Sequence, residues 1–194
     1  MTKRRTRIAA AVVSLALLAV AVVATGGSGE SRGRPSSPFA WLHASSPPAS
    51  WTIARTAGGA TFSYPPGWTP IKTDPGTASV ALLARGGRID GFLNATPKQG
   101  AETLANWSHF RPQHNSDEGD RHERIVASTT DARFRAAHGS CVIDTYTTSK
   151  AAYREIACLV VGTRSTAVMV AAAPEALWGR VAPTLERAMS SFVP

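Results

Sequence analysis

The chain lacks every short motif that announces a common chemistry. It has no Gly-x-Ser-x-Gly elbow, no phosphate-binding P-loop and no dinucleotide fingerprint. No internal repeat is present, and no single helix or strand gathers Lys and Arg with interleaved aromatics. Nucleic acid is therefore not an expected partner. Cysteine is scarce, with two residues, Cys141 and Cys158. Neither lies near the N-terminus, which excludes a cysteine-linked lipoprotein anchor there.

Acidic residues are also few, at 13 against 21 Lys and Arg, giving a net charge of +8. Four of the cations, Lys3, Arg4, Arg5 and Arg7, precede an apolar run from Ile8 to Ala24 that only Ser14 interrupts. A charged n-region ahead of an apolar h-region is a targeting segment. The run is long for a signal peptide and short for a span of about 20 residues. Two outcomes stay open: cleavage near Val22-Val23-Ala24, or retention as an N-terminal membrane anchor with its basic end in the cytoplasm. Arg4-Arg5 is a weak hint of a twin-arginine signal. Each outcome places the remainder of the chain, with only a moderate positive charge, outside the cytoplasm. The partners expected are the membrane, through this segment, and an envelope protein, lipid or polymer.

Residues 25–50 are rich in Gly, Ser and Pro and read as a linker that cannot bury enough apolar surface to order itself. The exception is the patch Phe39-Ala40-Trp41-Leu42, expected to dock weakly on the neighbouring domain. Residues 51–194 form that domain, large enough for a real core.

The domain opens with strands. Candidates are Trp51–Arg55, Ala60–Tyr64, Ser79–Ala84 and Ile89–Asn94, with turns at Gly58-Gly59 and Arg85-Gly86-Gly87-Arg88. Glu102–Phe110 reads as a helix that Pro112 stops, and Arg111–Arg121 as a polar loop. Glu123–Ser128 is a strand candidate, while Thr129–His138 is ambiguous between a helical turn and a continuing edge. Thr166–Ala173 is apolar throughout, as in a strand covered on both faces. Pro174 opens a helix whose stripe is Leu177, Val181, Leu185, Met189 and Phe192. Pro183 either kinks it or divides it in two.

Between these lies a predicted antiparallel hairpin, 140–148 with 151–162, turning at Ser149-Lys150. Its register sets Cys141 opposite Cys158, Ile143 opposite Ile156 and Tyr146 opposite Tyr153. It also sets Asp144 opposite Glu155, a like-charge pair that counts against it. In an oxidising compartment the two cysteines are expected to form a disulfide. Closing a loop of this length stabilises by about 3 kcal/mol. The alternative is a pair of free thiols, one of them a nucleophile helped by His138.

Two stretches carry a family likeness. One is Ala60-Thr61-Phe62-Ser63-Tyr64-Pro65-Pro66-Gly67-Trp68. The other is the ending with Ala173-Pro174-Glu175, Trp178, Pro183 and Ser191-Phe192. On these the chain resembles the PsbP-like family, which includes small exported actinobacterial proteins of the LpqN group. The resemblance implies an α+β fold, an α/β/α sandwich in which helices flank an antiparallel sheet. It implies accessory or binding roles with no shared chemistry, and no ligand residues can be carried over; no cofactor is expected. The linker and the Cys141/Cys158 pair depart from that pattern.

Candidate chemistry is thin. His114, Asp117, Glu118, Asp120, His122 and Glu123 form a run of metal-capable side chains without calcium-loop spacing, and read as a solvated surface loop. His138-Gly139-Ser140-Cys141 reads as a strand entry. Paired carboxylates for glycoside hydrolysis need not be close in sequence, and nothing points to them. Asn94-Ala95-Thr96 and Asn106-Trp107-Ser108 match the glycosylation pattern, a frequent chance match. Trp68, Trp107 and Trp178 are core candidates; Trp41 and Trp51 are better placed for contact with a partner. The sequence supports an extracytoplasmic, non-catalytic binding or accessory module of the envelope. The alternative is an exported hydrolase using His138, Ser140 or the acidic run.

Overall fold

The computed structural model describes residues 37–194. The targeting segment and residues 25–36 of the linker lie outside the described residues. Among those described, no helix is long and apolar enough to cross a membrane.

Among the described residues, nine strands and two α-helices follow in order. They are β1 (Thr52–Arg55), β2 (Thr61–Tyr64), β3 (Thr69–Ile71), β4 (Ala78–Leu83), β5 (Ile89–Pro97), α1 (Trp107–Asp117), β6 (Arg121–Phe134), β7 (Ala137–Thr147), β8 (Ala152–Gly162), β9 (Thr166–Pro174) and α2 (Trp178–Ser190). β1 and β2 form a separate hairpin. The other seven make one antiparallel sheet in the order β3-β4-β5-β9-β8-β7-β6. The fold is α+β.

Alternate residues of the central strands go to opposite faces. Cys141, Ile143, Ile156, Cys158, Met169 and Ala171 pack with Val181, Leu185 and Met189 of α2 and with Phe192 just beyond its end. Val142, Ala157, Leu159, Val168 and Val170 pack with Trp107 of α1. This explains why Thr166–Pro174 is apolar throughout: β9 is central and covered on both sides.

The β7–β8 register is the expected one, with Cys141↔Cys158, Ile143↔Ile156, Asp144↔Glu155 and Tyr146↔Tyr153. The two cysteines form a disulfide, with 4.1 Å between their Cα atoms. Both are wholly buried in the α2-face core. A buried disulfide is in keeping with an oxidising, extracytoplasmic compartment.

The Pro-Pro-Gly-Trp corner turns the chain from β2 into the main sheet. Gly67 adopts φ +84°, a conformation that side-chain-bearing residues resist. Trp68 then folds inward over Gly91 of β5, where an added Cβ would stand 2.7 Å from the indole. At the other end, Val193 bridges Thr61, and Ser191 Oγ accepts a hydrogen bond from the Ser63 amide. The C-terminus thereby seals the β1–β2 hairpin.

Four expectations need correction. The helix expected over Glu102–Phe110 starts at Trp107 and runs through Pro112 to Asp117, so most of the expected polar loop is helical. Thr103 and Asn106 exchange side-chain-to-backbone bonds and set its start. A proline in a helix interior, as Pro112 is here, forfeits one backbone bond and is tolerated when tertiary anchors hold the rest. The strand expected over Glu123–Ser128 extends from Arg121 to Phe134 and turns tightly through Ala136, at φ +50°, into β7. β3 has no counterpart in the expected strands. The helix expected to open at Pro174 starts at Trp178, after a 3-10 turn over Glu175–Leu177; of the two outcomes left open at Pro183, the chain takes the undivided one.

Part of the expected linker is also packed. Phe39, Trp41, Leu42 and Trp51 lie against the α2-face core. The Ser45 amide donates to the Ser190 carbonyl, and Arg135 donates to Ser46 Oγ.

Candidate functional site

α1 carries little apolar periodicity, so two tertiary anchors fix its position. Trp107 Nε1 donates to the Ala157 carbonyl at 2.9 Å. Arg111 makes a bidentate pair with Glu155, at 2.6 Å from Nε and 2.9 Å from Nη2. With its axis pinned, α1 leaves a cleft of about 300 Å³ between itself, the end of β5 and the 98–106 loop.

The cleft is mostly apolar, walled by Trp107, Phe110, Pro97 and Val168. The rings of Trp107 and Phe110 stack at 6.2 Å, and those of Phe110 and His114 at 6.1 Å. Spacings of three and four residues put these rings on one helical face. Three ionisable side chains, Glu102, Arg111 and His114, join the lining, beside the polar Thr96 and Gln99. Glu102 is only 4% exposed and accepts from the Gln99 amide through Oε1, while its Oε2 has no partner. Burial alone pushes the Glu102 carboxyl up. Backbone N–H groups around Gln99 and Gly100, with the Lys98 charge, outweigh it and hold the carboxyl below its usual range.

Behind Arg111 lies a buried carboxyl cluster. Asp144 and Glu155 are directly opposite on β7 and β8, and Glu123 of β6 and Asp120 stand close enough to act on them. Both oxygens of Asp144 and both of Glu123 are buried without hydrogen-bond partners. Burial, then the negative charges of Glu155 and Asp120, push Glu123 up to about 7, with Arg111 opposing. Asp144 is driven well above the ordinary carboxylate range, first by burial and then by Glu155. Arg111 is held protonated: burial works against its charge, and Glu155 overcomes that. Tyr146, stacked on Tyr153 at 5.8 Å, is pushed up by burial and by Glu155. The favourable arrangement is one ion pair, Arg111–Glu155, beside neutral, protonated Asp144.

The candidates from sequence separate into distinct places. Ser140 is buried and donates to the Thr129 carbonyl, whereas His138 is exposed. Among the described residues no hydrogen bond joins the two. The acidic run does not act as one loop. His114 and Asp117 sit on α1, His114 Nε2 pairs with Glu118 at 3.2 Å, and His122 and Glu123 belong to β6. No group of three or more His, Cys, Asp or Glu among the described residues is placed to hold a metal. Glu123 is the departure from the solvated reading, since its carboxylate points inward. Trp68 and Trp107 are buried, and Trp178 is half-buried under the Arg154 guanidinium at 5.1 Å. Trp41 and Trp51, expected to face a partner, are instead partly buried against the domain. Asn94 lies within β5, paired with Val170 and Ser79.

Sequence reasoning missed Arg111, Asp144 and Glu155 as a unit. The signal was present in the like-charge pair of the hairpin register. Two acids forced together on a buried face call for a cation from another element.

No family model matches the chain, and no curated protein matches it. Solved structures do. The protein of unknown function PA94 from Pseudomonas aeruginosa aligns at a TM-score of 0.49 and 14% identity, over 74% of this chain and 96% of that one. A protein from Bacteroides thetaiotaomicron VPI-5482 aligns at 0.39 and 12%, over 69% and 44%. The solution structure of the cyanobacterial PsbP (CyanoP) from Synechocystis sp. PCC 6803 aligns at 0.52 and 17%, over 75% and 92%. By that last likeness the chain has a PsbP-like fold.

Proposed function

We propose that the protein is an extracytoplasmic, non-catalytic binding module of the cell envelope that receives a small, largely apolar ligand in the α1 cleft. The cleft itself carries the reading. It is a concave, aromatic-walled space with a few convergent polar groups, the ordinary form of a small-molecule site. Supporting it are the basic n-region with its apolar run, the buried disulfide, and the two helices on opposite faces of the sheet. The same features favour the finer assignment: an α/β/α sandwich of the exported LpqN-like kind, tethered by its N-terminal segment or secreted. The hydrolase reading gains nothing at Ser140, whose hydroxyl is buried and already bonded to a carbonyl.

Native mass spectrometry of the full chain, recovered from its own envelope fraction, tests the proposal. A small molecule should be retained by the wild type and lost in Phe110→Arg, which sets a charge on the cleft wall. Retention of the same molecule by Phe110→Arg places it elsewhere. Recovery of the wild type without a bound molecule, and no thermal shift on returning a lipid extract of that fraction, would sink the reading.

A further inference from the structure

A second cavity, larger than the α1 cleft and sharing no lining residue with it, opens where three turns meet. It measures about 430 Å³ and lies among the Arg85–Gly87 turn, the β7–β8 turn and the Glu175–Leu177 turn. Its apolar walls are Ile89, Tyr153, Pro174 and Leu177. The Tyr153 ring is held in place by its stack on Tyr146, so that wall exists before any ligand arrives.

The charged side chains that line this cavity share one sign. Arg88 and Lys150 line it. Arg88 bonds Asp90 at 2.9 Å, but that single carboxylate also faces Arg180 at 3.7 Å. One carboxylate between two guanidiniums leaves a positive charge unmatched. Lys150 has no acidic partner among the described residues. Glu175, between the lining residues Pro174 and Ala176, is exposed and does not itself line the cavity. Apolar walls under a cationic rim complement a molecule with an apolar body and one negative end. The space is a pit sized for a single small molecule, which sets it apart from a flat surface that meets a bilayer.

We infer that this three-turn cavity is a second ligand site, one that takes a single-chain amphiphilic monoanion such as a fatty carboxylate. Its apolar chain lies along Ile89, Tyr153 and Leu177, and its carboxylate meets Lys150 and the outer edge of Arg88. The site is independent of the α1 cleft reading.

Amide shifts of the full chain, followed by NMR during titration with decanoate or with decylammonium below micelle formation, test this directly. Localised shifts separate the cavity from any binding at the apolar N-terminal run. Decanoate should give saturable shifts at Gly87, Ala151, Tyr153 and Leu177, and decylammonium none there. Lys150→Glu, on an exposed turn, should weaken decanoate by about fivefold to tenfold. Arg88→Gln provides a second variant with a milder loss. Equal shifts from both amphiphiles, no shifts at those amides, or affinity unchanged in both variants would each overturn the inference.

Discussion

Asp144 and Glu155 face each other across the β7–β8 ladder, both fully buried on the α1 face, and only Glu155 has a cationic partner. Two carboxylates in that position cannot both ionise cheaply. The fold resolves the conflict by giving Glu155 the Arg111 guanidinium and leaving Asp144 a proton.

Stability should therefore fall as pH rises through neutrality. Folding raises the affinity of Asp144 and Glu123 for protons, Glu123 to about 7, so between the unfolded values near ~4 and the folded ones the native state binds more protons. Stability contributed by these groups is fully present below the unfolded values and is lost as pH climbs through the folded ones. Denaturant midpoints measured from pH 5 to pH 8.5 should decline. Asp144→Asn removes the proton requirement, and should flatten that decline and stabilise by about 1–2 kcal/mol at the alkaline end. A parallel decline in the variant would assign it to other groups.

Arg111 holds α1 to the sheet and also lines the cleft. Arg111→Met leaves Glu155 buried without a cation and should cost about 3–5 kcal/mol. The double variant Arg111→Met/Glu155→Leu should recover most of that, because the pair is replaced by apolar volume. A double-mutant cycle by urea unfolding measures the coupling. Single-variant losses that simply add in the double variant would mean that the two residues act separately.

The parts of this fold legible in the sequence are those with a strict local period. The hairpin register followed from alternation and the position of one turn, so Cys141–Cys158 and Asp144–Glu155 could be paired beforehand. The α2 stripe followed from helical spacing. α1 was misread because its order comes from distant groups: Trp107 bonding Ala157, and Arg111 bonding Glu155. No apolar period reports such anchors, and Pro112 argued the wrong way. The cleft was hidden for the same reason, since its residues come from β5, a loop, α1 and β9. β6 was cut short because its ladder to β7 shifts register three times, which blurs the alternation that marks a strand.

Gly91 should tolerate no side chain. An alanine Cβ would stand 2.7 Å from one Trp68 ring carbon and 3.1 Å from a Val181 methyl. The indole is packed in the core and cannot step aside freely. Gly91→Ala should cost about 1–3 kcal/mol, and tryptophan fluorescence should report a displaced Trp68. The companion variant Trp68→Leu/Gly91→Ala should regain part of the loss, since a smaller side chain vacates the contested space.

Non-reducing peptide mapping of the protein recovered from its own cells should show Cys141 joined to Cys158; free thiols there would refute the pairing in the cell. The bond links adjacent strands already held by a full ladder and by wholly buried neighbours. It acts mainly on the unfolded chain, so Cys141→Ala/Cys158→Ala should lower stability by about 3 kcal/mol without altering the folded register. Amide exchange separates these possibilities. Ile143, Ile156 and Met169 should stay protected in the variant until global unfolding. Early exchange confined to β7 and β8 would instead show that the bond holds a ladder the sheet cannot hold alone.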